Sequence, residues 1–313
     1  MNASIENSAL IAASRLDGAI LVSVMVITFN SARTILETLE SILLQSYQKI
    51  ELVISDDGSK DETLLLCENW LKDHQDRFFR SQILSVQENT GVSENCLRGV
   101  NASRGEWIKI IAGDDILAKN CIETLLSISL DINCKVLVSD LKCFTSNAEY
   151  DYPYYQDERR FFFNLSVEEK YKYYLWHPFF LNIPSIFYKR EVFALPGIFN
   201  TKYKLLEDQP MLYTILKNKV DIHYAPVRVV FYRIHESSIT GKINPAFQKA
   251  LYECYKEYRR PNIKNSIKGL LFKRMTELAF YVNIQFPEMS FKDRAVRKLH
   301  EILKNSLQPF LRY

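Results

Sequence analysis

The chain has 313 residues, 47% of them apolar, with only 9 Gly and 10 Pro; this suits one sizeable folded core plus a smaller appendage and excludes fibrous or disordered classes. Its six cysteines include no pair two residues apart, which excludes a zinc ribbon or a disulfide framework and fits reduced thiols. The formal net charge is +3, yet residues 241–313 hold 15 Lys/Arg against 6 Asp/Glu, a net of +9 that leaves −6 for everything before them, so tail and body are expected to meet different partners.

Residues 1–20 carry no usable periodicity and no signal-peptide layout, since Arg15 and Asp17 interrupt their only apolar stretch. No window approaches an uninterrupted run of about eighteen apolar residues, so the expectation is a cytoplasmic protein, soluble or peripheral to a membrane. Residues 21–30, LVSVMVITFN, run apolar as a first buried strand, after which Asn30 or Ser31 can cap a helix with the stripe Ile35, Leu39, Ile42 and Leu43. A second strand over 52–54 ends in Asp56 and Asp57, with Gly58 to turn the chain. Ser59 and Glu62 are spaced for a capping box before a helix whose apolar face holds Leu64, Leu65, Trp70 and Leu71.

A third strand over 83–86 leads to a turn at Gly91 and a short helix with Leu97 and Val100 on one face. The fourth, over 107–111, ends in Ala112-Gly113 and delivers Asp114 and Asp115. A helix over about 119–128 and a strand over 135–138 follow. Alternation of this kind predicts a mostly parallel sheet covered on both faces, with ligands bound at the strands' carboxyl ends.

From 150 to 176 the chain mixes aromatic and charged residues, which can form a second core layer or face sugar rings, apolar on one side. After a turn at Pro196-Gly197, a helix from about residue 206 opens with Glu207-Asp208, a place where the helix dipole favours carboxylates even without catalysis. Residues 220–226 and 227–235 read as a strand pair that brings Arg233 and His235 to a strand end. Beyond Gly241 the pattern is helical. Ile267, Leu270, Leu271, Leu278 and Val282 share one face; a second helix after Ser290 sets Val296, Leu299, Ile302 and Leu303 against Arg294, Arg297, Lys298 and Lys304. These helices can pack on the remaining chain or lie on an anionic membrane surface.

Adjacent carboxylates repel, so a pair held at a strand end points to a bound cation or ligand, although a solvated loop would account for either pair alone. Two pairs in the same setting imply one shared site. Such a set suits a hard divalent cation with oxygen ligands, most useful where a phosphate or diphosphate departs. There is no GxGxxG after the first strand, no Walker A loop, no GxSxG elbow and no HExxH helix. Nucleotide binding through carboxylates and a metal is what remains.

The segments SVMVITFN, ELVISDDGSKDET, NTGVSENCLRGVNASRGEWIKIIAGDD, LPGIFNTKYKLLEDQPMLY and YRIHESSIT stand in an order and spacing that resemble family 2 glycosyltransferases of the GT-A fold, over about residues 22–240. The resemblance implies an α/β, Rossmann-like, mostly parallel sheet flanked by helices, with a helical C-terminal extension. It divides the chain into a lead-in (1–20), a GT-A domain (21–240, its nucleotide-binding half ending near 140) and a basic helical extension (241–313). It implies an inverting hexosyltransferase that moves a sugar from a nucleoside diphosphate donor, expected to be UDP-linked, to a saccharide acceptor. The bacterial surface-polysaccharide type would make that acceptor a lipid-linked intermediate of O-antigen or capsule synthesis, reached at the cytoplasmic face of the inner membrane through the basic helices. No nucleic-acid partner is expected, because the body is acidic and no recognised module is present.

Carried over residue by residue, the resemblance gives the donor's base to the backbone of Ile27 and Thr28, the ring of Phe29 and the carboxylate of Asp57, with Asn30 and Asp56 in the same set. Asp114 would reach the ribose or the metal, and Asp115 would ligate a Mn²⁺ or Mg²⁺ ion bridging the phosphates. Asp208, with Glu207 as competing candidate, would be the general base. His235 would be a further metal or diphosphate contact, or simply a half-buried histidine at a strand end. Two departures bear on this set: Ala112 stands where many relatives have a further Asp, and Ile27 and Phe29 replace the common Pro and Tyr. Two rival readings remain, a catalytically inactive carbohydrate-binding or scaffold protein of the same fold, and a nucleotidyltransferase, which should show a Gly-rich basic loop after the first strand.

Overall fold

The computed structural model describes residues 20–145, 149–151, 161–177, 181–234 and 245–285. Of these, residues up to 168 and from 181 to 234 form one compact unit, and residues 169–177 and 245–285 form a second. The stretch 169–177 thus groups with the C-terminal residues.

The first unit is built on a sheet of nine strands among the described residues: β1 (Val22–Thr28), β2 (Ile50–Asp56), β3 (Arg80–Ser85), β4 (Trp107–Ala112), β5 (Ile116–Leu117), β6 (Val136–Phe144), β7 (Glu149–Asp151), β8 (Ile186–Lys189) and β9 (His223–Arg233). Its helices are α1 (Ile35–Leu43), α2 (Thr63–His74), α3 (Val92–Ala102), α4 (Cys121–Asp131) and α6 (Asp208–Lys217). Helix α5 (Val167–Trp176) falls mostly in the second unit, with α7 (Pro245–Cys254) and α8 (Ile267–Gln285).

The strand order is β3-β2-β1-β4-β8-β6-β9-β5, with β7 on β6. β3, β2, β1 and β4 pair in parallel; beyond them β8 is antiparallel to both its neighbours, and β6 and β9 are parallel. The α/β sheet flanked by helices is as expected, parallel over β1 to β4 and mixed beyond them. β1, β2 and β4 are buried almost throughout, as strands covered on both faces must be. On one face Val24, Leu52, Ile54 and Ile111 pack with Ile35, Leu39 and Ile42 of α1, Cys67 and Trp70 of α2, and Ile122, Leu125 and Leu126 of α4.

Several local expectations are corrected. The capping box does not form: Glu62 is the N-cap of α2 without a side-chain cap bond, because the Ser59 hydroxyl donates to Asp56 instead. Neither Asn30 nor Ser31 caps α1, which begins after Thr34. The buried face of α2 runs through Thr63, Cys67 and Trp70 while Leu65 is exposed, and that of α3 runs through Ser93, Cys96, Gly99 and Val100 with Leu97 only half-buried. The expected strand pair at 220–235 is one strand, β9. Its register on β6 jumps from Ala225 to Arg228, a bulge that takes Pro226 out of the ladder it could not donate to.

In the second unit Phe272, Lys273 and Thr276 form the buried face of α8, whereas Ile267, Leu270, Leu271 and Leu278 are exposed among the described residues. The Val282 side chain and the helix expected after Ser290 lie outside the described residues. Arg259 donates to the Leu175 carbonyl at 2.8 Å and lies over the rings of Tyr255 and Phe272. No helix among the described residues is long and apolar enough to cross a membrane. All six cysteines are buried and none is in a disulfide.

Candidate functional site

Register on the parallel strands sets the site. The end of β1 lies between Asp56 of β2 (opposite Thr28) and Ala112 of β4 (opposite Ile27), so the turns after β2 and β4 flank the residues that follow β1. The Ile27 and Thr28 carbonyls accept the Gly113 and Asp57 amides, each at 2.9 Å, which binds the three strand ends into one edge. Phe29 projects from it, 43% exposed. Asn30, at a φ of 52°, donates its amide to Ser59 Oγ and accepts the Lys60 amide on Oδ1, both at 2.8 Å.

The four carboxylates at this edge have different surroundings. Asp56 is buried and closes its own turn, accepting the Gly58 and Ser59 amides at 3.1 and 3.0 Å. Asp57 is 2% exposed and accepts the Thr90 and Gly91 amides (3.0 and 2.7 Å), the Thr90 hydroxyl and Arg98 Nη2 (3.0 Å). Burial alone would raise its pKa, but the bonds from Thr90, Arg98 and Gly91 outweigh burial and hold the carboxyl below the usual range. Four bonds fill the acceptor sites of a carboxylate, so Asp57 is spent inside the protein.

Asp115 is fully buried. Its Oδ1 accepts the Arg233 amide at 2.9 Å and its Oδ2 has no partner; burial first, and the neighbouring Asp114 second, push its pKa well up. Lys109, buried on β4 and donating to the Pro184 and Ile186 carbonyls, is the nearby countercharge, its own pKa pushed down to about 8 by burial. The expected ligand Asp115 therefore faces the interior, whereas Asp114 is half-buried.

Glu207 and Asp208 open α6. Asp208 is 8% exposed and Glu207 half-buried. Burial raises both pKa values, that of Glu207 to about 7, and the Glu207 charge drives Asp208 higher still. The loop leading to them is fastened to the start of α3: the Val92 amide donates to Lys204 O at 2.8 Å and Ser93 Oγ to Tyr203 O at 2.6 Å. The Cys96 thiol of α3, pushed well up by burial, feels the charges of both Glu207 and Asp57. Asp57, the α3 start and the α6 carboxylates thus form one connected neighbourhood. His235 lies outside the described residues.

Sequence reasoning passed over Arg98 and Thr90, which saturate Asp57, and assigned no role to Arg233. The available signal for Arg98 was a cation seven residues after Gly91 in a helix whose neighbouring positions are apolar or small. Among the described residues no three His, Cys, Asp or Glu side chains converge on a metal position. Asp114 would be the carboxylate to hold a Mg²⁺-like ion, which needs only one or two protein carboxylates.

The mixed sheet with its functional groups at the carboxyl ends of parallel strands is the GT-A glycosyltransferase architecture. The chain superposes on S. aureus TarS with a TM-score of 0.57 at 16% identity, over 94% of this chain and 52% of that one. It likewise matches TarS 1–349 in complex with UDP-GlcNAc (TM-score 0.55, 15% identity, 93% and 73% covered). A third match is the mannosyltransferase PcManGT from Pyrobaculum calidifontis in complex with GDP-Man and Mn²⁺ (0.54, 17%, 100% and 97%).

The chain belongs to Glycosyl transferase family 2, whose sequence model matches residues 23–194. It is 36% identical over 105 residues to glycosyltransferase GlyG of Streptococcus pneumoniae, 34% of each chain. To the putative glycosyltransferase EpsH of Bacillus subtilis it is 27% identical over 237 residues, 74% of this chain and 65% of that one. The matches therefore span about a third and just under two thirds of these two relatives.

Proposed function

We propose that the protein is an inverting glycosyltransferase that moves a sugar from a nucleoside diphosphate donor, UDP-linked, to a saccharide hydroxyl. The observation that carries this reading is the Glu207–Asp208 pair at the start of α6, one carboxylate buried and the other half-buried, with burial raising the Glu207 pKa to about 7, where a general base is most effective near neutral pH. Such a pair shares one proton around neutrality and behaves as a unit. It accepts the proton of the acceptor hydroxyl while that oxygen bonds to the anomeric carbon. The bond from that carbon to the diphosphate oxygen breaks on the opposite face, so the configuration inverts.

The Phe29 ring, exposed beside the β1 end, stacks on the donor's base, and Asn30 borders it. The saturated Asp57 shapes that pocket through Thr90 and Gly91 rather than by a bond of its own. Asp114 would hold a divalent cation, whose chemistry when bound is to neutralise the charge of the departing diphosphate. The acceptor is a lipid-linked saccharide of surface-polysaccharide assembly, and the net charge of +9 over residues 241–313 supports a peripheral position on an anionic membrane surface.

The test is calorimetric titration of UDP with Mn²⁺, with Mg²⁺ and with chelator, followed by a screen of UDP-sugars for turnover. Asp208→Asn is expected to keep UDP binding while kcat falls about 100-fold or more. Failure of UDP, GDP, CDP and dTDP alike to bind folded protein would sink the reading.

A further inference from the structure

The turn that carries Asp114 is held on its α1 side, where Thr34 Oγ1 donates to the Gly113 carbonyl at 2.8 Å and Thr38 Oγ1 to the Asp115 carbonyl at 2.7 Å. It is followed by β5, two residues long, which pairs with β9 only through Ile116–Phe231 and Leu117–Val230. On its β9 side it is fastened by Arg233, the last residue of β9. Its amide donates to Asp115 Oδ1 at 2.9 Å, its Nε to the Asp114 carbonyl at 2.7 Å and its Nη2 to Glu37 of α1 at 2.6 Å. The guanidinium lies over the Phe144 ring, 4.4 Å from its centroid. One side chain thus joins β9, β6, α1 and the turn after β4, and it is only 17% exposed.

We propose that Arg233 is the positioning residue of the Asp114 turn, clamping it so that the Asp114 carboxylate is presented to the donor; the donor part of this rests on the function proposed above. The planar guanidinium is what the task requires. Its nitrogens lie in one rigid plane, so it meets a backbone carbonyl and a carboxylate at once while its face rests on an aromatic ring. A lysine ammonium brings the same charge without that geometry. Asp115 completes the clamp from beneath: its buried carboxylate accepts the Arg233 amide, which seats the end of β9 against the turn.

The test compares wild type with Arg233→Ala, Arg233→Lys, Asp114→Asn and the Arg233→Ala/Asp114→Asn double variant. The first readout is amide hydrogen exchange over residues 112–117 in the ligand-free protein, which is expected to accelerate about tenfold in both Arg233 variants and stay unchanged in Asp114→Asn. The second is titration with UDP and with GDP, each with Mn²⁺. Arg233→Ala is expected to weaken binding about tenfold alone and to add almost nothing on top of Asp114→Asn, because coupled residues do not contribute independently.

Additive losses, or full recovery with Arg233→Lys, would overturn the clamp. If wild type binds neither nucleotide, the donor reading falls and the exchange arm decides the positioning role by itself. Acceleration confined to 112–117 upholds it, and unchanged exchange rejects it.

Discussion

Asp114 and Asp115 are neighbours in sequence and opposites in setting. Asp115 has no surface to offer a ligand, so Asp115→Asn, which keeps an acceptor for the Arg233 amide, should leave nucleotide binding with Mn²⁺ within about twofold of wild type and stability within about 1 kcal/mol. Asp114→Asn should abolish the metal-dependent part of that binding. At the base, activity needs the pair to have lost one of its two protons: the acid limb of kcat/KM should inflect at about 7 and move in Glu207→Gln. Stability runs the other way. Because the Glu207 pKa is raised on folding, its contribution is fully present below the ordinary value of 4.5 and lost as pH rises through about 7. Glu207→Gln should therefore be more stable than wild type at pH 8, by on the order of 2 kcal/mol, with the difference vanishing near pH 4 in urea melts.

At the scale of elements, the start of α3 is the joint between the two halves of the site. Gly91 has a φ of 99°, and a Cβ there would sit 2.6 Å from the Lys204 carbonyl oxygen, so Gly91→Ala should cost about 2 kcal/mol in urea unfolding and loosen the loop before α6. Asp57→Ala leaves Arg98 without its buried partner and should cost about 3 kcal/mol. Strands and helices were legible because apolar runs and 3.6-residue stripes survive in a single sequence. Their interlocking was not: Ser59 was placed for a capping box by spacing, but the Asp56 carboxylate, brought close by the turn at Gly58, won its hydroxyl. Pro226 split one strand into two in the sequence reading, whereas pairing with β6 carries β9 through the bulge.

For the whole molecule, a ligand that binds only the folded state stabilises it by mass action. UDP with Mn²⁺ at a hundred times its Kd should raise unfolding free energy by about 2.7 kcal/mol, seen as a higher Tm that Asp114→Asn no longer shows. The first four strands with their helices, the two acidic pairs at strand ends and the carboxylates opening α6 are all local features of the chain, and the sequence by itself determined them, together with the family. Only the tertiary structure decided which carboxylates are buried against other parts of the chain. Asp57 is closed by Arg98 and Thr90, more than thirty positions away, and Asp115 by Arg233, well over a hundred positions away. Burial and hydrogen-bond saturation are properties of what the fold brings alongside a residue, and two adjacent aspartates carry no mark of which will face the core.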